Sequence, residues 1–244
     1  MTTTEDIIIH PRKGKQEQEV STDGLLLVTP AEVQYGQRLL EECGGKKQFL
    51  HGSSLMISAD GSLFIAGPAV GAPVAAMTLE KLIALGARRV VMFGWCGAIS
   101  RELKVGDVVV GGIPVSGEGT SRYYQTALPA VPSGNLVAKI GEILNEAGID
   151  YTERNVWSTD APYREDRIYI EKLHDDADVC CVDMEYSALC AVGAFRAVEF
   201  AAVFLVSDEL YQERWQPGYT RREFRVKSKG LVGLLANAGP FGGE

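Results

Sequence analysis

An α/β fold with a mixed central β-sheet flanked by helices is the architecture this sequence predicts, and three observations predict it. Short apolar runs of strand character alternate with helix-period segments along nearly the whole chain. Glycines and turn dipeptides punctuate the joins, and glycine is enriched: 27 of 244 residues, about 11%, against a usual share near 7%. No internal repeat, heptad or low-complexity linker divides the chain, so its 244 residues read as one unit, long enough to bury roughly 70% of its extended surface.

The elements follow in order. Residues 1–20 are polar and read as an N-terminal arm, leaving 21–244 as the folded domain. LLLVT (25–29) is a buried-strand pattern; after Pro30, AEVQYGQRLLEEC has helical composition until Gly44 and Gly45 stop it. SSLMIS and SLFIAG flank Asp60 and Gly61, a turn dipeptide, and so read as a hairpin. Pro73 suits a first helical turn, and VAAMTLEKLIAL continues the helix to Gly86. Residues 89–93 and 105–110 return to strand, with GWCGAIS (94–100) between them.

Residues 111–134, rich in Gly, Ser and Pro, are expected to form a long ordered loop that covers a site. NLVAKIGEILNEA is a helix, NVWST a strand and RIYIEKLH a short helix. DVCCVDMEYSALCAVGAF passes from strand to helix, EFAAVFLV is an apolar strand, and FRVKSKGLVGLLANA contains the last helix.

Composition excludes several functions. A net charge of −8 is the wrong sign for a binder of bulk nucleic acid. Residues 61–79 carry no formal charge, but two prolines and three glycines within them argue for strand, turn and helix rather than a membrane span. Five cysteines form no disulfide framework, and the N-terminus lacks a secretory leader, which together predict reduced thiols and a cytoplasmic location. The three histidines, His10, His51 and His174, form neither a zinc spacing nor a triad with a serine elbow, so neither metal nor cofactor is expected.

The chemistry-bearing candidates lie at strand ends. EFAAVFLV delivers Ser207, Asp208 and Glu209 to its end, where open α/β sheets place ligand contacts; an Asp there serves equally as a helix N-cap. Asp183 and Glu185 are two apart, so an extended segment points both to one side, with Met184 on the other. One of the two can accept from a ribose hydroxyl; an acidic helix start explains them as well. GPAVGAP and GWCGAIS bring backbone amides near strands without matching a dinucleotide or P-loop pattern. Cys96 lacks a histidine partner and reads as a structural thiol. Trp157, Tyr163, Tyr211 and Trp215 are separate candidates for stacking or plain packing.

Taken together, IAGPAVGAPVAAMTLEKLIALGARRVVMFGWCGAIS, VDMEYSALC and VFLVSDEL resemble the purine and uridine phosphorylase superfamily, which also contains nucleosidases. The resemblance covers residues 25–210 and implies a single-domain nucleoside-phosphorylase-like fold and a homo-oligomer with sites near its interfaces. It further implies a small-molecule nucleoside, purine-like, as substrate and cleavage of its N-glycosidic bond. On the family pattern Glu185 binds ribose hydroxyls, Met184 packs on the sugar, Trp157 stacks on the base, and Asp208, beside Ser207, serves base N7 as an acid. His10 resembles a histidine supplied to a neighbouring subunit's 5′-hydroxyl pocket.

Three departures concern phosphate as co-substrate. VTPAEV stands where phosphorolytic members carry a GDPxR-like segment, Met92 stands at a phosphate-contacting arginine, and Trp95 replaces a small hydroxyl residue. Losing an arginine removes a bidentate oxyanion partner. The region of Gly94, Trp95, Cys96 and Gly97, with Arg122, is therefore the candidate phosphate or sugar region, and Lys46 or Lys47 are further cations that can rebuild it. Phosphorolysis and hydrolysis both remain open, and the alternative to an enzyme is a nucleoside-binding or regulatory protein.

Overall fold

A computed structural model describes residues 7–127 and 129–241. Strands β1 (Asp23–Leu27), β4 (Phe64–Gly67) and β5 (Arg89–Ala98) lie parallel at its centre. The predicted hairpin is β3 (Ser53–Ile57) against β4, extended at the edge by β2 (Lys46–Leu50). On the other side follow β6 (Val108–Gly117), β7 (Tyr151–Thr159), β8 (Val179–Asp183), β9 (Glu199–Glu209) and the short β10 (Gln216–Pro217). The order is β10-β9-β6-β7-β8-β5-β1-β4-β3-β2, and β9 pairs with β5 as well, so β5, β9, β6, β7 and β8 close into a ring.

Period-2 alternation separates the two helical layers. Leu25 and Leu27 of β1 point into one core, with Val33 of α1 (Pro30–Glu42), Ile140 of α3 (Gly134–Glu146) and Val232 of α6 (Arg222–Ala238). Leu26 points into the opposite core, with Leu79 and Leu82 of α2 (Ala72–Leu85) and Leu189 of α5 (Tyr186–Arg196). Each fully buried leucine contributes about 1.5–3 kcal/mol of apolar transfer. A third cluster joins Ile170 and Leu173 of α4 (Arg167–Ala177) to Trp157 and Val182. The mixed sheet flanked by helices matches the predicted class.

Two expectations change. The stretch 111–134 is not loop throughout: β6 continues to Gly117, and a short 3-10 turn covers Ser121–Tyr123. What holds β6 is Tyr186, buried on α5, whose hydroxyl lies 2.8 Å from both the Gly111 and Gly112 carbonyl oxygens. A Cβ at Gly111 would stand 2.6 Å from the Tyr186 ring, so the glycine that looked like a loop residue is a packing requirement inside a strand. Likewise the strand expected over 89–93 does not stop before GWCGAIS, because β5 runs on through Ala98.

The described part of the arm lies on the domain. Lys81 of α2 donates to the Arg12 carbonyl and pairs with Glu17, both at 2.5 Å, and Val20 N–H bonds the Leu85 carbonyl at 3.0 Å. Residues 1–6 of the expected arm fall outside the described residues. Among the described residues no helix is long and apolar enough to cross a membrane, and residues 61–79 form β4, a turn and part of α2. All five cysteines are unpaired, four of them buried.

Candidate active site

A cleft of about 620 Å³ opens where β5, β8 and β9 end, within the size range of small-molecule sites. β8 supplies its first wall. Every residue of β8 is buried, and at its end Asp183 turns inward to accept the N–H groups of Glu185 (3.0 Å) and Tyr186 (2.7 Å) and the hydroxyl of Ser158. Asp183 therefore accepts the backbone N–H groups at the start of α5, the acidic helix start its position allowed. Glu185, 3% exposed, is aimed differently: one oxygen accepts the Gly71 N–H at 2.5 Å and the other the Met184 N–H at 3.3 Å. Burial pushes Asp183 up to about 6; burial and then the Asp183 charge push Glu185 up to about 8.

β9 supplies the second wall. Its pairing with β5 shifts register between Cys96 and Gly97, so Ser207 is the extra residue of a bulge, the device that re-aims side chains near a sheet end. Ser207 Oγ lies 3.1 Å from the Cys96 carbonyl oxygen and 2.5 Å from Asp208 Oδ1. The indole N–H of Trp215 donates to Asp208 Oδ2 at 2.7 Å. Trp215 in turn faces Tyr219 at 6.3 Å, and Tyr219 stacks on Trp95 at 5.8 Å with 19° between planes. Phe224 meets the Trp95 edge at 5.1 Å.

The third wall comes from the segment before α4, where Pro162, Tyr163, Glu165 and Arg167 line the cleft. The Arg167 guanidinium donates to the Gln212 carbonyl at 2.8 Å and to that of Tyr211 at 3.4 Å. Burial, then the neighbouring Asp208 charge, pushes the Glu165 carboxyl up to about 7. At the floor, Thr29 precedes α1 and donates to Glu32, whose other oxygen accepts the Ser228 hydroxyl at 2.6 Å.

Of the residues singled out in the sequence, Glu185, Met184, Asp208, Ser207, Trp95, Cys96 and Gly97 line one cleft. Four do not. Trp157 is 5% exposed in the third core, edge-on to Tyr169 at 5.4 Å, because its strand position faces α4. Gly94 packs against Val28 and Met92. Arg122 lies over the Tyr123 ring at 4.9 Å, and His10 sits on the arm. Met92 is fully buried in the sheet core, and Lys46 and Lys47 lie on the edge strand β2. Trp215 and Tyr163, two of the candidate aromatics, do line the cleft. Glu165, Arg167 and Tyr219 carried no sequence signal beyond a polar, turn-rich setting.

The family model described as the phosphorylase superfamily matches residues 22–232. This chain belongs to the phosphorylase superfamily. It is 28% identical over 177 residues to the guanosine phosphorylase of Halorubrum lacusprofundi, a match covering 72% of this chain and 73% of that one. To the DeoD-type purine nucleoside phosphorylase of Clostridium novyi it is 29% identical over 149 residues, covering 60% of this chain and 64%, a little under two thirds, of that relative. Among solved structures, the purine nucleoside phosphorylase of Toxoplasma gondii in complex with immucillin-H superimposes with a TM-score of 0.78 at 20% identity, covering 98% and 96% of the two chains. The uridine phosphorylase of Vibrio fischeri gives 0.77 at 24%, covering 90% of each. The 5′-methylthioadenosine/S-adenosyl homocysteine nucleosidase of Helicobacter pylori gives 0.73 at 20%, covering 91% and 98%. These likenesses show the fold, which phosphorylases and nucleosidases share.

Within this phosphorylase-superfamily cleft, Arg167 is the one cationic side chain among the described lining residues, and its guanidinium already serves two carbonyls. The first turn of α1, where a helix end favours an anion, holds the chain's own buried Glu32. One group of potential metal donors, His174, Asp178 and Cys180, has its atoms within 4.8 Å of one another at the α4–β8 turn. It lies outside the cleft lining. His174 Nδ1 already pairs with the Val179 carbonyl at 3.0 Å, and burial pushes the Cys180 thiol up to about 11, away from the thiolate a metal needs.

Proposed function

We propose that this enzyme of the phosphorylase superfamily cleaves the N-glycosidic bond of a purine-type nucleoside, with water as the attacking nucleophile. The observation that carries this reading is the placement of two carboxylates at opposite walls of one cleft, Glu185 beside the Gly71 turn and Asp208 beside Trp215. Glu185 accepts the ribose hydroxyls and Met184 packs against the sugar. The base lies among Trp215, Tyr163 and Tyr219, with Asp208 and Ser207 facing its N7 side. Bond breaking builds positive charge on the ribose, which acidic walls stabilise, and negative charge on the base, which a proton must neutralise.

Water is favoured over phosphate by charge. A phosphate dianion needs free cations or a bare helix N-terminus, whereas here Arg167 is engaged and Glu32 occupies the first turn of α1. The second reading, phosphorolysis, is favoured by the names of the guanosine and DeoD-type phosphorylase relatives. The reading includes assembly into a homo-oligomer, as the family resemblance implies. In this reading His10, which does not line its own cleft, serves a neighbouring copy's 5′-hydroxyl region. Five unpaired thiols suit a reducing compartment such as the cytoplasm.

A panel of adenosine, inosine, guanosine, uridine and 5′-modified purine nucleosides, each with and without phosphate, tests the proposal. Phosphate-independent release of base and free sugar is expected with the purines. Sugar 1-phosphate appearing only with phosphate establishes phosphorolysis instead, and ligand binding without released base from any substrate overturns the enzymatic reading.

A further inference from the structure

We propose that Arg167 is a positioning residue, a clasp between two walls of the cleft that fixes the Trp215 ring where the base stacks. The inference rests on the cleavage reading above for its ligand and names a residue that governs how that ligand is held. Residues 210–215 join β9 to β10, and the returning arm of this loop carries Trp215. The loop is weakly held by its own strands. β10 pairs with β9 over two residues, Gln216 opposite Glu209 and Pro217 opposite Asp208, and Pro217 has no N–H to give the ladder. Residues 213–216 are exposed. Gln212 Nε2 donates back to Glu209 at 2.9 Å, and Arg101 lies over the Tyr211 ring at 5.8 Å. From the third wall, Arg167 reaches the loop at the start of α4: its guanidinium donates to the carbonyl oxygens of Gln212 at 2.8 Å and Tyr211 at 3.4 Å.

Two features mark a clasp rather than a charge placed for the substrate. Glu165, Asp183, Glu185 and Asp208 line the same cleft, yet among the described residues no carboxylate pairs with the Arg167 guanidinium, which serves neutral carbonyls instead. A planar fork of donors suits two successive carbonyls, whereas the compact ammonium of a lysine is a point charge without that fork. The two segments joined by Arg167 also carry the most exposed rings of the cleft, Tyr163 at 99% and Trp215 at 57%. Neither ring belongs to a core cluster, so core packing does not set the spacing between them. Trp215 is bonded to Asp208 at 2.7 Å, and tying its loop to α4 therefore fixes the wall of Asp208 relative to the wall of Tyr163. A planar base enters a slot of preset width, and little loop ordering remains to be done on binding.

The test compares wild type with Arg167→Gln, Arg167→Lys and Arg167→Ala in steady-state kinetics on a purine nucleoside and in the ligand-free emission of Trp215. That emission is obtained by difference against the same protein carrying Trp215→Phe. Arg167→Gln is expected to raise KM about tenfold while kcat stays within about threefold. Its ligand-free Trp215 emission shifts to the red and is quenched more steeply by acrylamide. Arg167→Lys keeps the charge without the fork and stays impaired, and added ethylguanidinium, but not ethylammonium, restores Arg167→Ala. An unchanged KM, or full activity in Arg167→Lys, overturns the inference while cleavage stands. A raised KM with unchanged Trp215 emission overturns it too, because Arg167 then touches the ligand itself. A wild type that releases base from no nucleoside overturns the cleavage reading, and the ligand-free emission still decides whether Arg167 holds the loop.

Discussion

The Glu185 carboxylate accepts the backbone N–H of Gly71 at 2.5 Å, a bond between residues 114 apart in sequence. It ties the start of α5 to the turn that opens α2, and the pairing of Arg196 with Glu80 ties the end of α5 to the middle of α2. One oxygen of this cleft-lining acid is thereby fixed to backbone. Replacing Glu185 by Gln preserves an oxygen for Gly71 but removes the titratable carboxyl from the cleft wall. Steady-state kinetics should show kcat/KM lower by about 10²-fold, with an unchanged circular dichroism spectrum.

Three cleft carboxyls, Glu185 (about 8), Glu165 (about 7) and Asp183 (about 6), are raised by burial above their ordinary range. In the unfolded chain such groups titrate near about 4. Between pH 5 and 8 the folded protein therefore binds more protons than the unfolded one, and stability is lost as pH rises. Thermal melts across that window should show a falling midpoint, and Glu185→Gln should reduce the fall by at least about 3 °C. A midpoint that rises with pH contradicts the assignment.

Trp215 is 57% exposed yet supplies the indole donor to Asp208. Trp215→Phe keeps the ring and removes the N–H. Stability should change by less than about 0.5 kcal/mol, whereas kcat/KM should fall about tenfold, the consequence of one lost hydrogen bond to a charged group.

How much of this site was legible follows from where each residue sits. Asp208 stands near the end of apolar β9 and Glu185 just past the end of apolar β8, and strand ends are readable from hydrophobic patterning, so the cleft position of both was legible. Trp157 was misplaced because a strand residue two positions from the end of β7 can face either side, and here that side is α4. Glu165 lies in a polar turn without periodicity, and only the fold brings it into the cleft wall, where burial and then the Asp208 charge raise its carboxyl. In the same way the second half of β6 was hidden by Gly111, whose small size is demanded by Tyr186, a residue some 75 positions later. Local pattern locates elements; contacts of high sequence separation locate sites.

Arg196 holds Glu80 through two hydrogen bonds of 2.8 Å, with the Glu80 side chain only 10% exposed. Arg196→Ala leaves that carboxylate without its cation between α2 and α5. Urea unfolding should show a loss of about 1–3 kcal/mol, and Glu80→Gln combined with Arg196→Ala should lose less than the sum of the single changes.

The row from Trp95 through Tyr219 to Trp215 places two of the chain's three tryptophans on the cleft, while the third, Trp157, lies in the core packed against Val182, itself a cleft residue. The protein thus carries its own optical reporter. A base entering among these rings alters their emission directly, so occupancy of the cleft can be followed by intrinsic fluorescence in unlabelled protein, before any bond is broken.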